Sequence, residues 1–308
     1  MTRNIINKVY FEQRGGDYDT SLDIMHCYLN KDTGEIMRNT EVYINNQLSV
    51  KINSIGCRGG EIISGIPVIG CFGDSTTFGV CNNSWPSLIS IQNCQPINAG
   101  VEGHRMDRVI NRVNELFVEE NIDLIAAVIF TGWHNLFQPP MDEGDWEAYF
   151  DNIPEIPIVA HCTIPAALTE LCLIDGAEGF IGTGSVENDT FFYRFDRWTM
   201  CRGSCTTLWR HLRRFNKFIC DYCERRQRIL IDFAALLNPR KYEDIPIDFF
   251  DICHMRQRTY KRMANLVSEK LKDAIYDELK KRGVKSPGVQ QSRNEAGVVH
   301  NRSIYPLW

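Results

Sequence analysis

Four short blocks of this chain hold side chains that can do chemistry together. They are Gly73-Asp74-Ser75 with Gly79 four residues on, Asn98-Ala99-Gly100, Gly132 with Asn135, and Asp251 with His254. Ester cleavage through an acyl-enzyme needs a nucleophile, a base to take its proton, a group that orients the base, and donors for the oxyanion. The blocks offer candidates for all four. Ser75 supplies a hydroxyl and His254 a base. Asp251, three residues before the histidine, can orient it from the same turn. Gly100 lets backbone approach a substrate oxygen, and Asn135 presents a side-chain amide. Singly, each block has a plainer reading. Gly-Asp-Ser is common in turns, Asp-x-x-His also serves as a helix cap, and Gly-x-x-Asn alone says little.

The order of the blocks along predicted elements gives them weight. The apolar run Ile66 to Phe72 reads as a buried strand ending in Gly73-Asp74-Ser75. Ser84 to Gln92 reads as a first helix, and Pro96 to Gly100 as a second short strand. Met106, Val109, Ile110, Val113 and Leu116 recur at helical spacing over Met106 to Glu119. The continuous apolar run Ile122 to Phe130 is another central strand, ending in Thr131-Gly132-Trp133-His134-Asn135. Thr207 to Arg228 reads as a basic helix, Ile229 to Phe233 as a strand, and Lys261 to Lys281 as an amphipathic helix. Strand and helix therefore alternate over most of 66–282, which predicts a central parallel sheet covered by helices on both faces, a three-layer α/β/α architecture. Three of the four blocks then stand at carboxyl ends of strands, where open α/β sheets bind ligands.

These blocks, in this order and spacing, resemble those of the SGNH, or GDSL, hydrolase family. Asn53-x2-Gly56-x-Arg58-Gly59 also resembles a segment often found ahead of the serine in bacterial members. The resemblance spans about residues 50–270 and implies a flavodoxin-like fold. It also implies that Ser75 is the nucleophile, His254 the base and Asp251 its orienting acid. The oxyanion donors it implies are the Ser75 and Gly100 N–H groups and the Asn135 amide. Asp74, Trp133, His134 and His104 are the candidates for substrate contact. The chain departs from the pattern at Leu136, where the family commonly has Asp after the asparagine, and at Thr259, where many members have Gly. The activity implied is serine-dependent hydrolysis of a small acyl ester, with an O-acetyl group on a carbohydrate or related metabolite as the candidate. The alternatives are acyl transfer to an alcohol or amine by the same triad, and a noncatalytic binding protein that keeps the fold.

The chain has 308 residues, 44% hydrophobic and 24% charged, ordinary globular values. Residues 1–65 read as a β-rich extension with a hairpin over Glu41 to Ile52, turning at Asn45-Asn46. Residues 66–285 read as the hydrolase domain, interrupted by an insertion at about 136–206, and 286–308 as a tail. A net charge of −5 gives no attraction to nucleic acid or an anionic membrane. The N-terminus lacks the apolar stretch of a secretory signal, so the expected location is the cytoplasm. The twelve cysteines then read as reduced thiols. Cys201, Cys205, Cys220 and Cys223 have zinc-like spacing, but the last two fall within one helix, so no metal or cofactor is expected. The basic run Arg210 to Arg228 reads as a solvated helix face in preference to an anion site. The aromatics Trp133, Phe137, Trp146 and Phe191 to Trp198 serve either an acyl or sugar pocket or the core.

Overall fold

The computed structural model describes residues 2–6, 28–30, 33, 35–44, 47–79, 84–136, 143–166, 205–238, 248–249 and 254–284. Five strands form the central sheet: β4 (Val68–Gly73), β5 (Gln95–Asn98), β6 (Leu124–Phe130), β7 (Ile158–Cys162) and β8 (Ile229–Ile231). They lie in the order β5-β4-β6-β7-β8, and every neighbouring pair is parallel. Every residue of β4, β6 and β7 is buried, as apolar runs covered on both faces must be.

Numbered from β4, the strand order is 2-1-3-4-5, the flavodoxin-like winding, in which a crevice opens beyond the carboxyl ends of the first and third strands. The chain steps one way from β4 to β5, then the other way through β6, β7 and β8. Right-handed crossovers therefore put the two sets of connections on opposite faces. One set carries α1 (Ser75–Phe78) and a 3₁₀ turn, Pro86–Leu88. The other carries α2 (Met106–Asn114) with its π-helical extension Glu115–Glu119, α3 (Trp133–Leu136), α4 (Glu143–Asp151) and α5 (Cys205–Arg226). Contacts follow this division: α2 and α5 both pack on α4, while α7 (Gln257–Lys281) packs on the 3₁₀ turn and on β6 and β8. The short α6 (Phe233–Leu237) follows β8. Among the described residues no helix is long and apolar enough to cross a membrane.

Ahead of this sheet, β1 (Thr2–Ile6), β2 (Thr40–Ile44) and β3 (Gln47–Ile52) form a separate three-stranded sheet. The β2–β3 pair is antiparallel, as the hairpin reading expects, with Asn45 and Asn46 outside the described residues. β1 joins parallel to β2, a pairing that alternation within either strand does not encode.

Two expectations need correction. Ser84 to Gln92 is not a helix: only Pro86–Leu88 turns, and Ile89 is already extended at ψ 133°. Pro86 opens this turn, where its missing N–H is tolerated, but the isoleucines at 89 and 91 disfavour propagation beyond it. The segment 136–206 is not a single insertion either. Ile158–Cys162 is the fourth strand of the central sheet, paired on both sides by β6 and β8, and α4 packs beside α2 and α5. Residues 137–142 and 167–204 lie outside the described residues, as does the tail from 285, so Phe137, the Phe191 to Trp198 aromatics and Cys201 are not placed. Trp146 belongs to the core, 4.9 Å edge-on from Phe215. The basic face of α5 is laced to acids, with Arg214 on Glu143 and Arg226 on Glu147 and Asp151.

One core residue gives the fold a pH signature. His161 of β7 lies between the rings of Phe150 and Tyr222, and neither ring nitrogen has a hydrogen-bond partner. Burial pushes its pKa down to about 3. An unfolded histidine titrates near 6.5, so between these values the unfolded state takes up a proton that the folded state refuses. Stability should therefore fall as pH drops below about 6.5, by on the order of 1 kcal/mol per pH unit from this group. Urea unfolding at pH 7 and pH 5 should show a shallower loss for His161→Leu than for the native chain; equal slopes would contradict it.

Candidate active site

Ser75 opens α1 directly after β4, and His254 precedes α7, 179 residues away. The fold brings them together: Ser75 Oγ lies 2.8 Å from His254 Nε2, and both residues are buried. This is the separation a base needs to take the serine proton.

The turn carrying Ser75 is held from both ends. At its start Asp74 caps the helix, with Oδ1 accepting from the Thr76 amide at 3.0 Å. Asp74 is 1% exposed. Burial pushes its carboxyl above the usual carboxylate range, against the opposing pull of His134, the Thr76 amide and His254. At the other end the Phe78 carbonyl accepts from Arg58 Nη1 at 2.7 Å and from Asn98 Nδ2 at 2.9 Å, while Gly79 O takes a second bond from Arg58. Arginine is well suited to a helix carboxyl end, where carbonyls lack partners. Glycine is required on either side of this turn. A Cβ on Gly73 would stand 2.3 Å from Phe130 O, and one on Gly100 would stand 2.4 Å from Phe78 N.

The other predicted donors converge on the same strand ends. Gly100 follows β5, and its N–H donates to Asn98 Oδ1 at 3.0 Å. Asn135 lies in α3 beyond β6, with Oδ1 accepting from the Met106 amide at 2.8 Å. That bond fixes the side-chain amide by its oxygen and leaves the NH₂ as the donor end. Trp133 is 2% exposed, within the main core, whereas His134 and His104 are half-buried. Burial, with Arg112 and Arg108 nearby, holds the His104 pKa down at about 4. Asp251 lies outside the described residues. Cys220 and Cys223 both sit on α5, and burial pushes both thiols up. Among the described residues no cluster of His, Cys, Asp and Glu is arranged to hold a metal.

Three supports escape sequence reasoning. Asp248 anchors the segment that carries His254: its carboxylate accepts from Thr259 Oγ1 at 2.8 Å and from Arg262 Nη1, and its carbonyl accepts from the Arg256 amide. Thr259, at a place where many members of the resembled family have Gly, is thus part of that anchor. Tyr28 is the third. Its ring stacks on Phe78 at 4.5 Å and 6°, and its hydroxyl accepts from the Glu102 amide at 3.3 Å. With Val42, Val50 and Ile52 it forms a second apolar cluster that ends on Phe78, so the N-terminal sheet packs against the turn bearing Ser75.

No protein-family model matches the sequence, and no curated protein does. Several solved structures resemble the chain. A lipase/acylhydrolase from Enterococcus faecalis is 18% identical, with a TM-score of 0.45 over 67% of this chain and 96% of its own. A GDSL-like lipase from Bacteroides thetaiotaomicron is 14% identical, with a TM-score of 0.46 over 72% of this chain and 93% of its own. A member of the lipolytic G-D-S-L family from Veillonella parvula is 17% identical, with a TM-score of 0.44 over 66% of this chain and 96% of its own. With TM-scores below 0.5 these likenesses carry no argument, and fold and chemistry are read from the chain's own strands and side chains.

The role given to Tyr28 is measurable. Tyr28→Phe keeps the ring stack and loses one hydrogen bond, about 1 kcal/mol. Tyr28→Ala opens a cavity against Phe78 and should cost about 3–5 kcal/mol in urea unfolding. A cost below about 1 kcal/mol for the alanine variant would detach the N-terminal sheet from the site.

Proposed function

We propose that the chain hydrolyses a small acyl ester through an acyl-Ser75 intermediate, with an O-acetyl group on a carbohydrate or related metabolite as the candidate substrate. The observation that carries this reading is the 2.8 Å contact between Ser75 Oγ and His254 Nε2 at the crevice of the central sheet.

In this mechanism Ser75 Oγ attacks the ester carbonyl carbon as His254 Nε2 takes its proton. The tetrahedral intermediate collapses when the same Nε2–H protonates the departing alkoxide, and a water repeats the sequence on the acyl-enzyme. The role proposed for Asp251 is to accept from the other ring nitrogen, selecting the tautomer with Nε2 unprotonated and favouring the imidazolium. The developing oxyanion is held by the Ser75 and Gly100 N–H groups and the Asn135 NH₂. Gly100 must then share its amide hydrogen, which bonds Asn98 in the free chain. The Asp74 cap and the Arg58 bonds have a kinetic purpose in this scheme, since a nucleophile held in place avoids reorganisation during attack.

The test is a panel of acyl esters with the Ser75→Ala chain as control. The variant should unfold at the native temperature yet lose about 10³-fold or more in kcat. Retained turnover by a purified, folded variant would overturn the assignment. Free acid as product at saturating alcohol supports hydrolysis, and acylated alcohol in its place would move the reading to acyl transfer.

A further inference from the structure

A groove of about 860 Å³ runs along α2, lined on its other side by Thr33, Glu35, Ile36 and Arg38. Its size is that of a small-molecule site. Its charges are sorted along the helix. At the carboxyl end Glu115 is already held by Arg38 Nη2 at 3.0 Å and Arg112 Nη1 at 2.6 Å, and Arg38 also pairs with Glu120. At the amino end the pairing is looser, a single long contact from Arg105 to Asp107. Arg108 makes no ion pair among the described residues. Arg105 Nε stands 3.8 Å from Asp107 Oδ1, too far to donate, and neither that nitrogen nor the buried His104 Nδ1 has a hydrogen-bond partner.

Arg105 and Glu115 are ten residues apart, roughly 15 Å along a helix axis. That exceeds the screening length of about 8 Å at physiological salt, so the paired acids of the far end do little to neutralise the near one. The amino end of α2 adds its own positive partial charge; Arg105 does not cap it, and Asn135 Oδ1 takes the Met106 amide. Glu35, on the opposite wall, accepts from the Thr33 hydroxyl. Arg105, Arg108 and His104 thus present donors and positive charge to one end of a cavity, the arrangement that recognises phosphate or carboxylate oxygens.

This end also adjoins the candidate active site. The loop from Gly100 runs straight to His104 and Arg105, and the next residue, Met106, bonds Asn135 Oδ1 at 2.8 Å. We infer that the groove binds an anionic group of the ester substrate, a phosphate or carboxylate on its alcohol part, through Arg105, Arg108 and His104. The inference rests on the ester-cleaving reading of Ser75, but the binding half of its test does not.

The full-length Ser75→Ala chain is titrated calorimetrically with glucose 6-phosphate, glucuronate and glucose. At least one of the two anionic sugars should bind saturably, at least tenfold more tightly than glucose, and Arg108→Glu should remove that advantage; which of the two binds separates phosphate from carboxylate recognition. Equal affinity for all three, or an Arg108→Glu chain with unchanged affinity, would overturn the inference. With Ser75 intact, the ratio of kcat/KM for the O-acetylated anionic sugar to that for O-acetylated glucose should exceed ten and fall toward one in Arg108→Glu. Anion binding without turnover of any ester would overturn the hydrolytic reading alone. Turnover with a ratio near one would overturn the substrate assignment alone.

Discussion

A helix of four residues cannot hold itself together. Nucleating a first turn fixes several backbone angles for a single hydrogen bond, and short isolated helices do not persist in water. Yet α1, Ser75–Phe78, carries the Ser75 hydroxyl and must hold it within reach of His254. Its geometry is therefore imposed from outside. Asp74 satisfies an amide at its start, and Arg58 and Asn98 satisfy carbonyls at its end. Gly73 and Gly100 let β6 and the β5 loop close in on it. Tyr28 covers its last side chain. Much of what is specific to this chain converges on those four residues.

The central sheet supplies the frame for this convergence. With the order β5-β4-β6, Ser75, Gly100 and Asn135 leave three adjacent parallel strands at the same edge, so their spacing across the crevice follows from strand separation and loop length. His254 arrives by a different route, from a segment tied down by Asp248 through Thr259, Arg262 and Arg256. Two rigid supports meeting at one hydrogen bond are what preorganised acyl transfer requires.

The strands of this architecture were legible because buried parallel strands leave unmistakable apolar runs: Val68–Gly73 and Leu124–Phe130 could hardly be anything else. Ser75, Gly100 and Asn135 stood out as blocks at predicted strand ends, and His254 in a block just before the last helix. The failures have physical causes as well. Ile158–Cys162 reads like any short apolar run, and its membership of the central sheet is decided by pairing with β6 and β8, which no local pattern encodes. Ser84 to Gln92 has helical composition in part, but the chain is already extended at Ile89, after one turn. Tyr28, Asp248 and Thr259 act across 50, eight to fourteen, and eleven residues of chain, through a stack and hydrogen bonds that exist only once the fold is complete. Support for a site is long-range information, whereas the reacting groups announce themselves by type.

The claim on which the rest turns is that Ser75 Oγ becomes covalently acylated. Rapid acid quench of the enzyme with a slow acyl ester, followed by peptide mapping of the trapped protein, tests it directly. The account predicts one acyl group per chain, located on Ser75, formed within the burst of the first turnover and lost slowly to water. An acyl group found on another residue, or steady turnover with no acylated chain at any quench time, would contradict it.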